Sequence, residues 1–218
     1  MTVYNMNDRL QADIFWGKYA PLSTMTGAFL LIMASSRLAF AIFCAGAIFW
    51  VYGLTALVFF SARRFMSKKG KIIILLFLSS LICNMYLLLM SFLNPLLVAA
   101  TWFFLVLVPP CCVGSGLFQL PETYDSADIQ PRVWQEAACL ALLIIAVSLI
   151  REPLGMGSLS FPGGAFGIVE IFSPDEGGEG FFPIRLLSVS GGGLLILGLG
   201  AAIFRYFRSQ QSVTEDDV

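Results

Sequence analysis

Histidine is absent from this chain of 218 residues, and charge is scarce: Lys, Arg, Asp and Glu together make up 12%. The first absence excludes a histidine-ligated haem, the usual zinc sites and a serine–histidine triad. The second excludes a surface facing water, which needs roughly a quarter of charged residues. No C-x-x-C pair and no Gly-Lys-Ser/Thr occurs, so a dithiol redox motif and a P-loop are both missing. The start carries no basic stretch followed by an apolar block, so no cleavable signal peptide is expected.

What the chain has instead is apolar length. Hydrophobic residues make up 58%, and the mean hydropathy is +0.83. Runs suited to crossing a bilayer, which takes about 20 residues, fall at 21–36, 38–61, 72–93, 95–112, 134–150 and 184–204. The expected fold is an all-α integral membrane domain of six transmembrane helices over residues 1–218. Arg37 and Asn94-Pro95 mark tight turns. The dense basic loop Arg63, Arg64, Lys68, Lys69 and Lys71 belongs on the cytoplasmic side, because short Lys/Arg-rich loops are retained there. Both termini then lie in the cytoplasm, and the acidic loop 151–183 lies outside. Residues 1–20, with Leu10, Ile14, Phe15 and Trp16, read as an amphipathic surface segment, and 207–218 as a polar tail.

Segments one and four are short, holding Gly27 and Pro109-Pro110 respectively. Such interruptions at matching places suggest two inverted three-helix repeats, 21–93 and 95–206, whose first and fourth helices are broken. Pro110 should stop or unwind the fourth helix, since it lacks an N–H and clashes with the preceding turn. Unwound backbone in a bilayer needs protein cover or a cavity. Cys111 and Cys112, at that break, are therefore candidates for chemistry as well as for packing. Arg151-Glu152 ends the fifth segment, either as an interfacial ion pair with Gly155 and Gly157 shaping the next loop, or as an ion gate or brace for a facing subunit. Asn84 reads as an interhelical hydrogen-bonding group. Gly191-Gly192-Gly193, Gly198 and Gly200 read as a packing face. The glycines of the 151–183 loop make no dinucleotide fingerprint, which must follow a strand and open a helix. Nucleic acid has no footprint beyond the basic loop, which topology explains.

Three stretches resemble the small membrane subunits shared by the Rnf and Na⁺-pumping NADH:quinone reductase (Nqr) complexes. They are Leu10, Ala12-Asp13, Trp16 and Gly27 at the start, Cys111-Cys112 with Gly114 and Gly116 in the middle, and the run Arg151-Glu152-x-x-Gly155-x-Gly157-x-Leu159-x-Phe161. The resemblance implies the inverted-repeat fold and a place in a multi-pass complex of the bacterial cytoplasmic membrane. It also implies a homologous partner subunit, other complex subunits, and Na⁺ or H⁺ as the ion moved. In that family, cysteines of the first and fourth helices hold an iron–sulfur cluster between paired subunits. Here Cys111 or Cys112 would be the metal and cofactor ligand of a [2Fe-2S] cluster shared with the partner.

One ligand is missing. Aligned without gaps from Trp16 through Gly27, the family's first cysteine falls on Phe29, and a phenyl ring does not ligate iron. The expectation is a subunit with no activity of its own and no cluster. The alternative is a small inverted-repeat transporter or membrane scaffold without a redox role.

Overall fold

The structure, a computed structural model, describes residues 20–62, 70–114, 126–163, 167–172, 185–189, 191–200 and 202. The elements are α1 (Ala20–Ala34), α2 (Leu38–Ala62), α3 (Lys71–Leu93), α4 (Pro95–Leu105), α5 (Val108–Gly114) and α6 (Ser126–Met156), then β1 (Leu159–Pro162), β2 (Ile168–Phe172) and α7 (Arg185–Ser188). A short apolar helix, α8 (Gly191–Gly200), follows. The amphipathic start, the polar tail, Gly116, and Arg63, Arg64, Lys68 and Lys69 of the basic loop lie outside the described residues.

Three of these helices are long and apolar enough to cross a membrane: α2, α3 and α6 over Gln130–Met156. The pair α4–α5, bent by 41°, makes a fourth. Among the described residues, that differs from six crossings. The 15 residues of α1 reach only about 22 Å, short of a hydrocarbon core of about 30 Å. The last apolar run is divided at Val189, between α7 and α8. The chain is a mostly helical membrane protein, and the faces of α3 show why. Ile73, Phe77, Met85, Leu88 and Phe92 are exposed, while Leu75, Ser79, Ile82, Cys83 and Tyr86 are buried. Water does not tolerate so continuous an apolar stripe on a helix, whereas lipid does.

Helix α2 is the centre of the packing. Ala39, Ala41, Ala45, Ala47 and Ala56 are all buried in it, and small side chains let backbones approach closely. Its most extensive neighbour is α6. Two α2 glycines act as sockets. A Cβ at Gly53 would clash with the Trp134 ring, and one at Gly46 would lie 2.9 Å from the Tyr86 hydroxyl. That hydroxyl donates to the Phe43 carbonyl at 2.9 Å.

The break in the fourth segment comes earlier than Pro110. Helix α4 ends at Leu105, Val106 and Leu107 form a turn, and α5 then begins with Pro109 and Pro110 in its first turn. Proline suits that place, because the first N–H groups of a helix have no partner to lose. The freed Leu105 carbonyl accepts from the Cys83 thiol at 3.5 Å.

The stretch expected to be a loop contains a β-hairpin, so the fold is not purely α. Strands β1 and β2 are antiparallel, with Ser160 opposite Glu170 and Phe161 opposite Val169. The hairpin lies at the same end of the molecule as the turns at Arg37 and Asn94. The Arg37 Nη1 donates to Glu170 Oε1 at 3.2 Å. Buried Asn94 does two jobs: its Oδ1 accepts from the Leu97 N–H at 2.9 Å, capping α4, and its Nδ2 donates to the Gly167 carbonyl at 2.8 Å. Asn94→Ala should cost about 2 kcal/mol, one cap plus one buried hydrogen bond lost. Unfolding in detergent checks this; a loss under about 0.5 kcal/mol would exclude the double role.

Candidate functional site

Two sites emerge from the residues singled out in the sequence. The first is the contact between α1 and α5. Cys111 and Cys112 are both buried, and none of the five cysteines is bridged. The Tyr52 hydroxyl donates to Cys111 Sγ at 3.5 Å. Gly27 of α1 faces that thiol, since a Cβ built on it would lie 3.7 Å from Cys111 Sγ. The short first helix and the broken fourth segment therefore meet at Gly27 and Cys111. Phe29 does not join them: its side chain is 58% exposed, on the outer face of α1. Among the described residues, no group of three or more Cys, Asp or Glu is placed to hold a metal ion. A ring turned outward and a single α1–α5 thiol contact do not fit two ligands of a thiolate-held cluster.

The second site is the Arg151–Phe161 run, and here the surface ion pair gives way to something different. Arg151 and Glu152 are 2% and 1% exposed. They serve opposite helix ends. Arg151 Nη1 donates to the Ile32 carbonyl at 2.8 Å and to Ser35 Oγ at 3.0 Å, at the C-terminal end of α1. Its Nε donates to the Leu187 carbonyl at 2.9 Å, and Nη2 to those of Ser188 and Val189 at 3.2 and 3.0 Å, at the end of α7. A guanidinium has five N–H donors, and all are used. Glu152 Oε2 accepts from the Leu38 N–H at 2.6 Å, at the N-terminus of α2.

The signs follow from helix electrostatics. Helix C-termini present unpaired carbonyls and partial negative charge, which suit Arg; N-termini present N–H groups and partial positive charge, which suit Glu. Neighbouring residues on α6 point about 100° apart, so each reaches a different end.

The glycines of the run act through space and dihedral angle. A Cβ on Gly155 would meet the α7 backbone, 2.9 Å from the Ser188 nitrogen. Gly157, at φ 69°, ends α6 with its N–H on the Pro153 carbonyl at 2.9 Å. Buried Ser160 accepts from the Ala39 N–H at 3.4 Å, a second cap on α2. From the glycine triplet, Gly193 approaches the Arg151 guanidinium and Gly192 the Leu187 backbone, while Gly191, Gly198 and Gly200 face open space.

The remaining sequence-derived residues are not at either site. Asn84 bonds within its own helix, to the Ser80 carbonyl at 3.0 Å, so it links no helices. Lys71 lies over the Phe59 ring, 5.3 Å from its centroid. Tyr52, Ser35 and Ser160 were invisible as site residues, because each gains its role from a partner far along the chain. No protein-family model matches this chain, and no curated protein matches it in sequence.

Proposed function

We propose that this chain is a membrane subunit of an Rnf/Nqr-like, ion-translocating electron-transport complex, with packing rather than cluster binding as its part. The observation that carries the reading is the meeting of Gly27 on α1 with Cys111 on α5. These are the two segments that the resemblance brings together around a cluster, although the first ligand position itself falls on Phe29, two residues beyond Gly27. With Phe29 turned outward, this subunit offers its partner an apolar ring where a ligand would stand. The reading includes six crossings in inverted repeats, both termini in the cytoplasm of a bacterium, a homologous partner subunit, and Na⁺ or H⁺ as the ion moved by the complex.

The test is anaerobic purification in mild detergent with partners retained, followed by iron and acid-labile sulfide assays and EPR. The expected result is a co-purifying homologous subunit, with iron content unchanged by Cys111→Ser or Cys112→Ser. A cluster signal lost in either variant would put this chain in the electron path. Purification without any redox subunit would overturn the reading in favour of a transporter or scaffold.

A further inference from the structure

The accounting at Glu152 is incomplete in a way that points to a ligand. Oε2 has the Leu38 N–H, but Oε1 is buried and has no hydrogen-bond partner. Ser148 Oγ, one turn earlier on the same face of α6, is also buried and unpartnered. A third oxygen lies between them in sequence. Pro153 has no N–H, so the Leu149 carbonyl lacks the amide that an uninterrupted helix would offer it. Arg151, the nearest cation along the chain, commits every donor to α1 and α7. Of the other charged groups at this end among the described residues, Arg37 and Glu170 pair with each other. Buried oxygens without donors are costly, and an ionisable group deep in a membrane protein marks an ion site more often than a packing one.

We propose that Glu152 Oε1, Ser148 Oγ and the Leu149 carbonyl form a site for one small monovalent cation, at the end of α6 nearest the hairpin. Na⁺ suits such a site, because a small monovalent cation would take all three as hard oxygen ligands. The site is separate from the thiols and does not depend on the electron-transport reading.

The experiment uses the full chain in lipid nanodiscs, with unfolding followed by tryptophan fluorescence in NaCl, KCl or choline chloride at equal ionic strength. If Na⁺ is the occupant, it raises the unfolding midpoint over choline. Ser148→Ala then raises the half-saturating Na⁺ concentration about tenfold, and Glu152→Gln abolishes the response. Ser148→Ala leaves the Leu38 contact intact, so it carries the test should Glu152→Gln fail to fold. Equal midpoints in the three salts overturn the proposal.

Discussion

Arg151→Ala should leave almost no folded protein in the membrane, and Arg151→Lys should lower stability by about 3 kcal/mol. The guanidinium holds five oxygens from two helix ends. Removing one partner from a buried, charge-assisted set costs about 3–5 kcal/mol, a large share of the 5–15 kcal/mol that holds a typical domain together. Lysine keeps the charge but brings three donors on a flexible stem instead of five in a planar fork. Two acceptors are then stranded, at about 1–3 kcal/mol each. Yield in the membrane fraction and unfolding in detergent measure both variants. If Arg151→Ala accumulates normally and unfolds within about 1 kcal/mol of wild type, the clamp is not what holds α1 and α7.

Gly155→Ala should cost about 2–3 kcal/mol although it adds a single methyl group. Most such additions meet a side chain that can turn aside. This one meets backbone, with the Ser188 nitrogen at 2.9 Å and the Leu187 carbonyl carbon at 3.1 Å. Relief requires α7 to retreat, and α7 with Val189 just beyond it carries three of the oxygens bound by Arg151. The cost is therefore overpacking plus weakened hydrogen bonds. Because both substitutions damage the same contact, their effects should not add. In a double-mutant cycle with Arg151→Lys, the pair should cost about 1–2 kcal/mol less than the sum. Strict additivity would show that Gly155 acts independently of the clamp.

Local signals are legible in the sequence, and long-range ones are not. The α2 and α3 boundaries fall within one residue of the apolar runs, because charge at Arg37 and Lys71 and the Asn94-Pro95 pair stop those runs sharply. The break before α5 came out displaced, since proline disfavours a helix interior but suits a first turn. The β-branched residues Ile168, Val169 and Ile171 carry a strand signal that the glycines around them obscure. Arg151 and Glu152 were the instructive miss. A charged pair at the end of an apolar run reads as an interface, and only the positions of three distant helix ends turn it into an interior fixture. Phe29 could be read as a lost ligand from the sequence; that its ring faces away from Cys111 could not.

The cross-chain caps also bear on how this protein is made. The Leu38 amide receives its carboxylate from a residue 114 positions later, and the Ile32 carbonyl its guanidinium from one 119 positions later. During synthesis, then, the α1–α2 hairpin enters the bilayer with both facing ends unfinished, and stays so until residue 152 has left the ribosome. A chain cut short anywhere before that point would present the quality-control machinery with an α2 amide that lacks its carboxylate cap.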